Sequence, residues 1–170
     1  MNPHIKKFKI EDFKNHQKNL LNLIDKTPSK SLIEKDQKIL ATDWQIISQN
    51  HKRDYVEYFI FNILNKFTPF LCKELNCEKI ELINIWFQIY GKDGFHGKHR
   101  HSNAHFSNVL FLKLPNKNLK TKIYDLNNSI IEIDIDEGDI LTFPAYLKHE
   151  SLINIYNENK IIISYNINIV

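Results

Sequence analysis

With 170 residues, a net charge of +3 and only four glycines and five prolines, the sequence describes one globular domain, not a fibrous or disordered chain. Its lysines are scattered among acids, which argues against a nucleic-acid partner. No run approaches ~20 uninterrupted apolar residues, so no membrane span is expected. Cys72 and Cys77 fit neither a zinc pair nor a disulfide scaffold and point to a reducing cytoplasm. The basic N-terminus is not followed by the apolar run of a secretory leader.

His4 to Ile10 reads as a short strand. Asp12 to Ile24 carries Phe13, Leu20, Leu21 and Ile24 at near-helical spacing, and Thr27-Pro28-Ser29 ends that pattern. Residues 31–50 have no clear period. A longer helix is expected from Arg53 to about Leu75, with Val56, Phe59, Ile60, Ile63, Leu64 and Phe67 as its buried stripe and a kink or division at Pro69. From Ile80 the texture turns to β-branched and aromatic residues. Strands are expected over 80–90, 106–114, 121–126, 130–135, 139–143, 150–155 and 161–169, with a loop over Gly91–Lys98. Short strands at such spacing make a sandwich or a barrel. The expectation is a single α+β, mainly β domain over 1–170: a helical part, 1–78, packed on the outside of a β core, 79–170.

Of eight histidines, His96, His99, His101 and His105 crowd into one stretch, and His149 follows the run Gly138 to Pro144. On a strand, residues i and i+2 share a face, so His99 and His101 can offer two imidazoles to one ion. A barrel can bring a third from a distant strand, and His149 is the candidate. Neutral imidazoles suit iron, zinc, copper or nickel. Three protein ligands leave positions open for substrate and oxygen, which is a catalytic arrangement. An H-x-H pair alone is more often two surface histidines; the later histidine and the all-β context favour the metal.

The segments Trp86–Tyr90 and His96–Pro115 resemble the 2-oxoglutarate–Fe(II) oxygenases of phages and marine bacteria. So do Glu137–Pro144 with His149 to Ser151, and Lys160–Asn166. Thr42-Asp43-Trp44 is similar to a short motif upstream of the barrel in those proteins. The spacing of Tyr90, Gly94, His99 and His101 resembles the Y-x3-G-x4-H-x-D stretch of prolyl 4-hydroxylases. The likeness covers roughly the second half of the chain. It implies a double-stranded β-helix, a jelly-roll or cupin-like barrel, that uses Fe(II) and takes 2-oxoglutarate and molecular oxygen as co-substrates. Carried over, His99 and His149 match the iron histidines, and His101 stands where the usual carboxylate would be. Lys160 stands at the co-substrate anchor, where arginine is usual; its ammonium can hold a carboxylate as a point charge. Tyr90 is a hydroxyl donor to the same carboxylate. Asn84 and Gln88 lie on the face of Tyr90 and could line the pocket. His105 falls on the face of His99 and is assigned beside the metal or facing substrate, and His96 to the rim.

Two rivals stand beside an oxygenase of this kind. One is a cupin-type three-histidine dioxygenase that needs no keto acid; the other is a barrel without catalysis, with a binding or structural role. The substrate is not legible: a peptide, a small amine or amino acid, and a nucleobase all stay open.

Overall fold

The computed structural model describes residues 4–49 and 51–170. The chain opens with β1 (Lys6–Lys9), α1 (Phe13–Asp25) and the hairpin β2 (Lys30–Glu34) and β3 (Gln37–Thr42), followed by a short 3-10 turn over Trp44–Gln49. Next come α2 (Asp54–Phe59), a π turn (Ile60–Leu64) and α3 (Asn65–Leu75). The remaining strands are β4 (Ile80–Tyr90), β5 (Phe95–His99), β6 (Phe106–Lys113), β7 (Thr121–Tyr124), β8 (Ile130–Ile131), β9 (Asp139–Pro144), β10 (His149–Ser151) and β11 (Lys160–Ile169). They pair antiparallel in the order β1-β9-β6-β11-β4-β3-β5-β10-β7-β8, with β2 beside β3. The sheet curls on itself as a double-stranded β-helix, and the helices cover its outside.

Alternation along the strands makes two separate cores. On β11, Ile161, Ile163, Tyr165 and Ile167 join Phe59, Leu20, Leu71 and Phe87 under the helices. Ile162 points the other way, into a cluster with Tyr90, Phe111, Leu141 and Phe143 inside the barrel. At ~25 cal/mol per Å² of apolar surface removed from water, these two clusters supply the main driving force for the fold.

The part before residue 79 is not only helical. β1 pairs with β9, and β3 bridges β4 and β5, so this segment completes the sheet. The stretch without a clear period is largely the β2–β3 hairpin. The expected division at Pro69 is absent: the proline sits inside α3. The irregularity lies just upstream, in the π turn, and the Thr68 hydroxyl donates to Leu64 O at 2.8 Å. Widened pairing before a proline lets the rod continue past its missing N–H.

A buried clamp sets the relation of β3 to β4. The Asp43 carboxylate accepts from Arg53 Nε at 2.6 Å, from the Tyr55 hydroxyl at 2.6 Å and from Phe87 N at 2.9 Å. Thr42 Oγ1 donates to Phe87 O at 2.7 Å. Asp43 is fully buried, and a buried carboxylate with this many donors is satisfied and rigid.

Candidate metal centre

His99 ends β5 and His149 opens β10, and the two are direct cross-strand partners. His101 lies beyond the end of β5. Its backbone N–H donates to Ala145 O at 3.0 Å, and Ala145 N–H donates to His105 O at 3.0 Å, so the loop after β9 fixes its place. The same-face argument on one strand is therefore not how the three meet: His101 arrives from a loop. One ligand nitrogen from each of His99, His101 and His149 lies within 4.8 Å of the others.

Which nitrogen each ring offers follows from its backbone partner. His99 Nδ1 is 2.8 Å from Gly97 O, and His149 Nδ1 is 3.1 Å from Leu147 O. A carbonyl only accepts, so both Nδ1 atoms carry the proton and both Nε2 lone pairs are free for a metal. Burial pushes the His149 ring well below its ordinary pKa, helped by neighbouring His99. Burial and the His99 charge lower His101 to about 4, and burial lowers His99 as well. All three are neutral at neutral pH, the form that binds metal. Phe143 packs 4.8 Å from the His149 ring and Trp86 5.9 Å from His101, walling the group with apolar surface.

The remaining residues expected at the site separate clearly. Lys160 begins β11 opposite Tyr90 and is fully buried. Its ammonium donates to Ser151 Oγ at 2.7 Å and lies 5.2 Å from the Tyr90 ring centroid. Among the described residues no carboxylate is within ion-pair distance of it. Burial alone lowers its pKa to about 7. Burial raises the Tyr90 phenol, which also faces the Ser151 hydroxyl. Tyr90 and Ser151 line the same cavity as the three histidines, so Lys160 stands directly behind that wall. Gln88 lines the cavity; Asn84 does not, and its Oδ1 instead accepts from Asn166 Nδ2 at 3.0 Å.

Two histidines depart from expectation. His105 is exposed, and its Nδ1 accepts from Ile169 N at 3.1 Å, so it ties a loop to the end of β11 and takes no part in the cluster. His96 is not at the rim. Its ring lies flat on that of His99, with centroids 3.8 Å apart and planes 15° apart. They are three positions apart, and strict alternation would put them on opposite faces. A bulge intervenes: on β10 His149 and Ser151 are two apart, while their β5 partners His99 and His96 are three apart. Gly97 sits in that bulge with its N–H on Asp36 O at 2.7 Å, and a Cβ there would meet the same oxygen at 2.8 Å. Ser151 was missed in the sequence, although its place two residues after His149 on a strand puts it on the same face.

No family model matches the sequence, and no curated protein matches it. Solved structures match it in fold. A 2OG-Fe(II) oxygenase family protein from Burkholderia pseudomallei has a TM-score of 0.75 at 10% identity, over 98% of this chain and 86% of that one. A Pseudomonas putida prolyl-4-hydroxylase has a TM-score of 0.67 at 11% identity, over 97% and 92%. HygX from Streptomyces hygroscopicus, solved with nickel, 2-oxoglutarate and hygromycin B, has a TM-score of 0.65 at 6% identity, over 98% and 83%. The fold of this chain is that of the 2-oxoglutarate–Fe(II) oxygenases.

Proposed function

We propose that the chain is an Fe(II)- and 2-oxoglutarate-dependent oxygenase that acts on a small molecule or a peptide. One observation carries the reading. A fully buried ammonium, Lys160, has no carboxylate partner among the described residues and stands behind the wall of a cavity that also gathers three imidazoles. A buried lysine without an anion is costly, and a protein keeps one where a ligand supplies the charge.

The donor set fits the metal: His99, His101 and His149 would hold iron through neutral nitrogens. Lys160, with Tyr90 and Ser151 beside it, would take the far carboxylate of the keto acid. Bound together, iron and 2-oxoglutarate supply the oxidation of a C–H bond by dioxygen, coupled to loss of carbon dioxide. The chain's own part is orientation and shielding. Gly97 O and Leu147 O fix the planes of two ligand rings, and Phe143 and Trp86 keep water from the group.

A second reading has its own support. His101 in place of a carboxylate makes the ligand set neutral, as in a three-histidine dioxygenase that needs no keto acid. Lys160 decides between them. Removing the ammonium leaves a carboxylate unpaired in a dry pocket, so Lys160→Ala weakens 2-oxoglutarate binding by roughly two to three orders of magnitude. Iron affinity hardly changes, and Lys160→Arg keeps part of the binding. Isothermal titration of the metal-loaded variants reads this. Equal 2-oxoglutarate affinity in Lys160→Ala and the wild type favours the enzyme without a keto acid.

A further inference from the structure

The cavity lined by the three clustered histidines is narrow. The space in it open to the centre of a water-sized sphere is about 30 Å³, room for two or three waters at the ~10–15 Å³ that each needs on that measure. A five-carbon diacid reaching from the three imidazoles to Lys160 cannot enter it unless a side chain yields. Most of the wall cannot. Phe143, Ile162 and Tyr90 are buried in the interior core. Ser151 is held by the Lys160 ammonium.

His96 is different. Along β5 and β10, His99 pairs with His149 and His96 pairs with Ser151, whose hydroxyl holds Lys160. His96 therefore sits one step along these strands from the metal end of the cavity towards the cationic end, and it lines the cavity. It is only partly buried. It is kept there by stacking on His99 and by a 3.4 Å contact between its Nδ1 and Gln88 Nε2. Both attachments are weak beside the packing of a core residue. The backbone beneath it is fixed, since Gly97 donates to Asp36 O and accepts from His99 Nδ1. Only the side chain is free to move.

We infer that His96 is a gating and positioning residue for the co-substrate: its ring leaves its place against His99 when the diacid enters and then flanks the bound chain. The inference rests on the keto-acid reading. It makes co-substrate entry depend on a side-chain motion, which slows association relative to an open pocket.

The test uses the full chain loaded with Fe(II) without oxygen and mixed rapidly with 2-oxoglutarate, following the visible band of a chelated keto acid. His96→Ala speeds the appearance of the band by about tenfold or more, because binding no longer waits on a conformational change. His96→Phe keeps a flat ring over His99 and stays as slow as the wild type or slower. In zinc-loaded wild-type protein, 2-oxoglutarate shifts the His96 ring protons in NMR spectra as the stack opens, a readout that needs neither turnover nor the variants. A band in the wild type that forms no faster in His96→Ala, or His96 protons that do not move, overturns the gate and leaves the oxygenase reading standing. Loss of iron binding in His96→Ala overturns it too, by making the residue a ligand. No band in either protein removes the keto-acid reading, and the gate with it.

Discussion

The two faces of β11 are equally buried and chemically opposite. Ile161, Ile163, Tyr165 and Ile167 meet the helices, while Lys160, Ile162, Ser164 and Asn166 meet the barrel interior, and every one of the eight is buried. The outer face is apolar except for the Tyr165 hydroxyl, which has no hydrogen-bond partner among the described residues. The inner face carries an ammonium, a hydroxyl and an amide, each hydrogen-bonded to a side chain from another strand. Burial therefore does not mark a residue as structural. One face of the strand holds the fold together, and the other holds polar groups that a fold alone would not need.

The comparison predicts that damage to one face leaves the other intact. The largest effect is His149→Ala, which abolishes stoichiometric iron binding while the unfolding midpoint stays close to that of the metal-free wild type. Metal analysis and denaturant unfolding check the two halves. Retained iron, or a protein much less stable than the metal-free wild type, breaks the separation. On the outer face, Ile163→Ala opens a cavity under the helices and costs ~2–5 kcal/mol of stability, while iron stoichiometry stays at the wild-type level. Urea unfolding beside metal analysis reads that pair.

A smaller and more telling effect belongs to Lys160. Its folded pKa is about 7, below the ~10.4 of an unfolded lysine. Between those values the unfolded chain binds a proton that the folded chain lacks, so this residue makes stability rise with pH across that window. Below about 7 the cost of the buried charge is present in full. Lys160→Met therefore stabilises the ligand-free protein at neutral pH, by roughly 1–3 kcal/mol, and flattens stability between about pH 7 and 10. A methionine variant less stable than the wild type would show that the ammonium supports the fold and is not held at its expense.

What could be read from the sequence follows the same division. β4 and β11 were legible because both are long and rich in β-branched and aromatic residues. The clustering of His99, His101 and His149 was legible because H-x-H and a distant histidine survive as a pattern even where one of them lies on a loop. The β2–β3 hairpin was not, because its apolar residues are few and half its side chains face water. Strict alternation put His105 on the face of His99, and nothing local placed His96 against that ring. A bulge at Gly97 turns one histidine inward, and the loop after His99 carries the other out. The clamp of Asp43, Arg53 and Tyr55 joins residues from separate elements, and no local period announces it.

The central claim is that the three imidazoles and Lys160 are two ends of one binding site. It is tested most directly by adding Fe(II) without oxygen and then 2-oxoglutarate to the wild type and to Lys160→Ala. The account predicts one iron per chain in both proteins, with a visible charge-transfer band that saturates at low 2-oxoglutarate in the wild type and only at far higher concentration in the variant. Iron bound without any band in the wild type, or saturation at the same concentration in both, would contradict it.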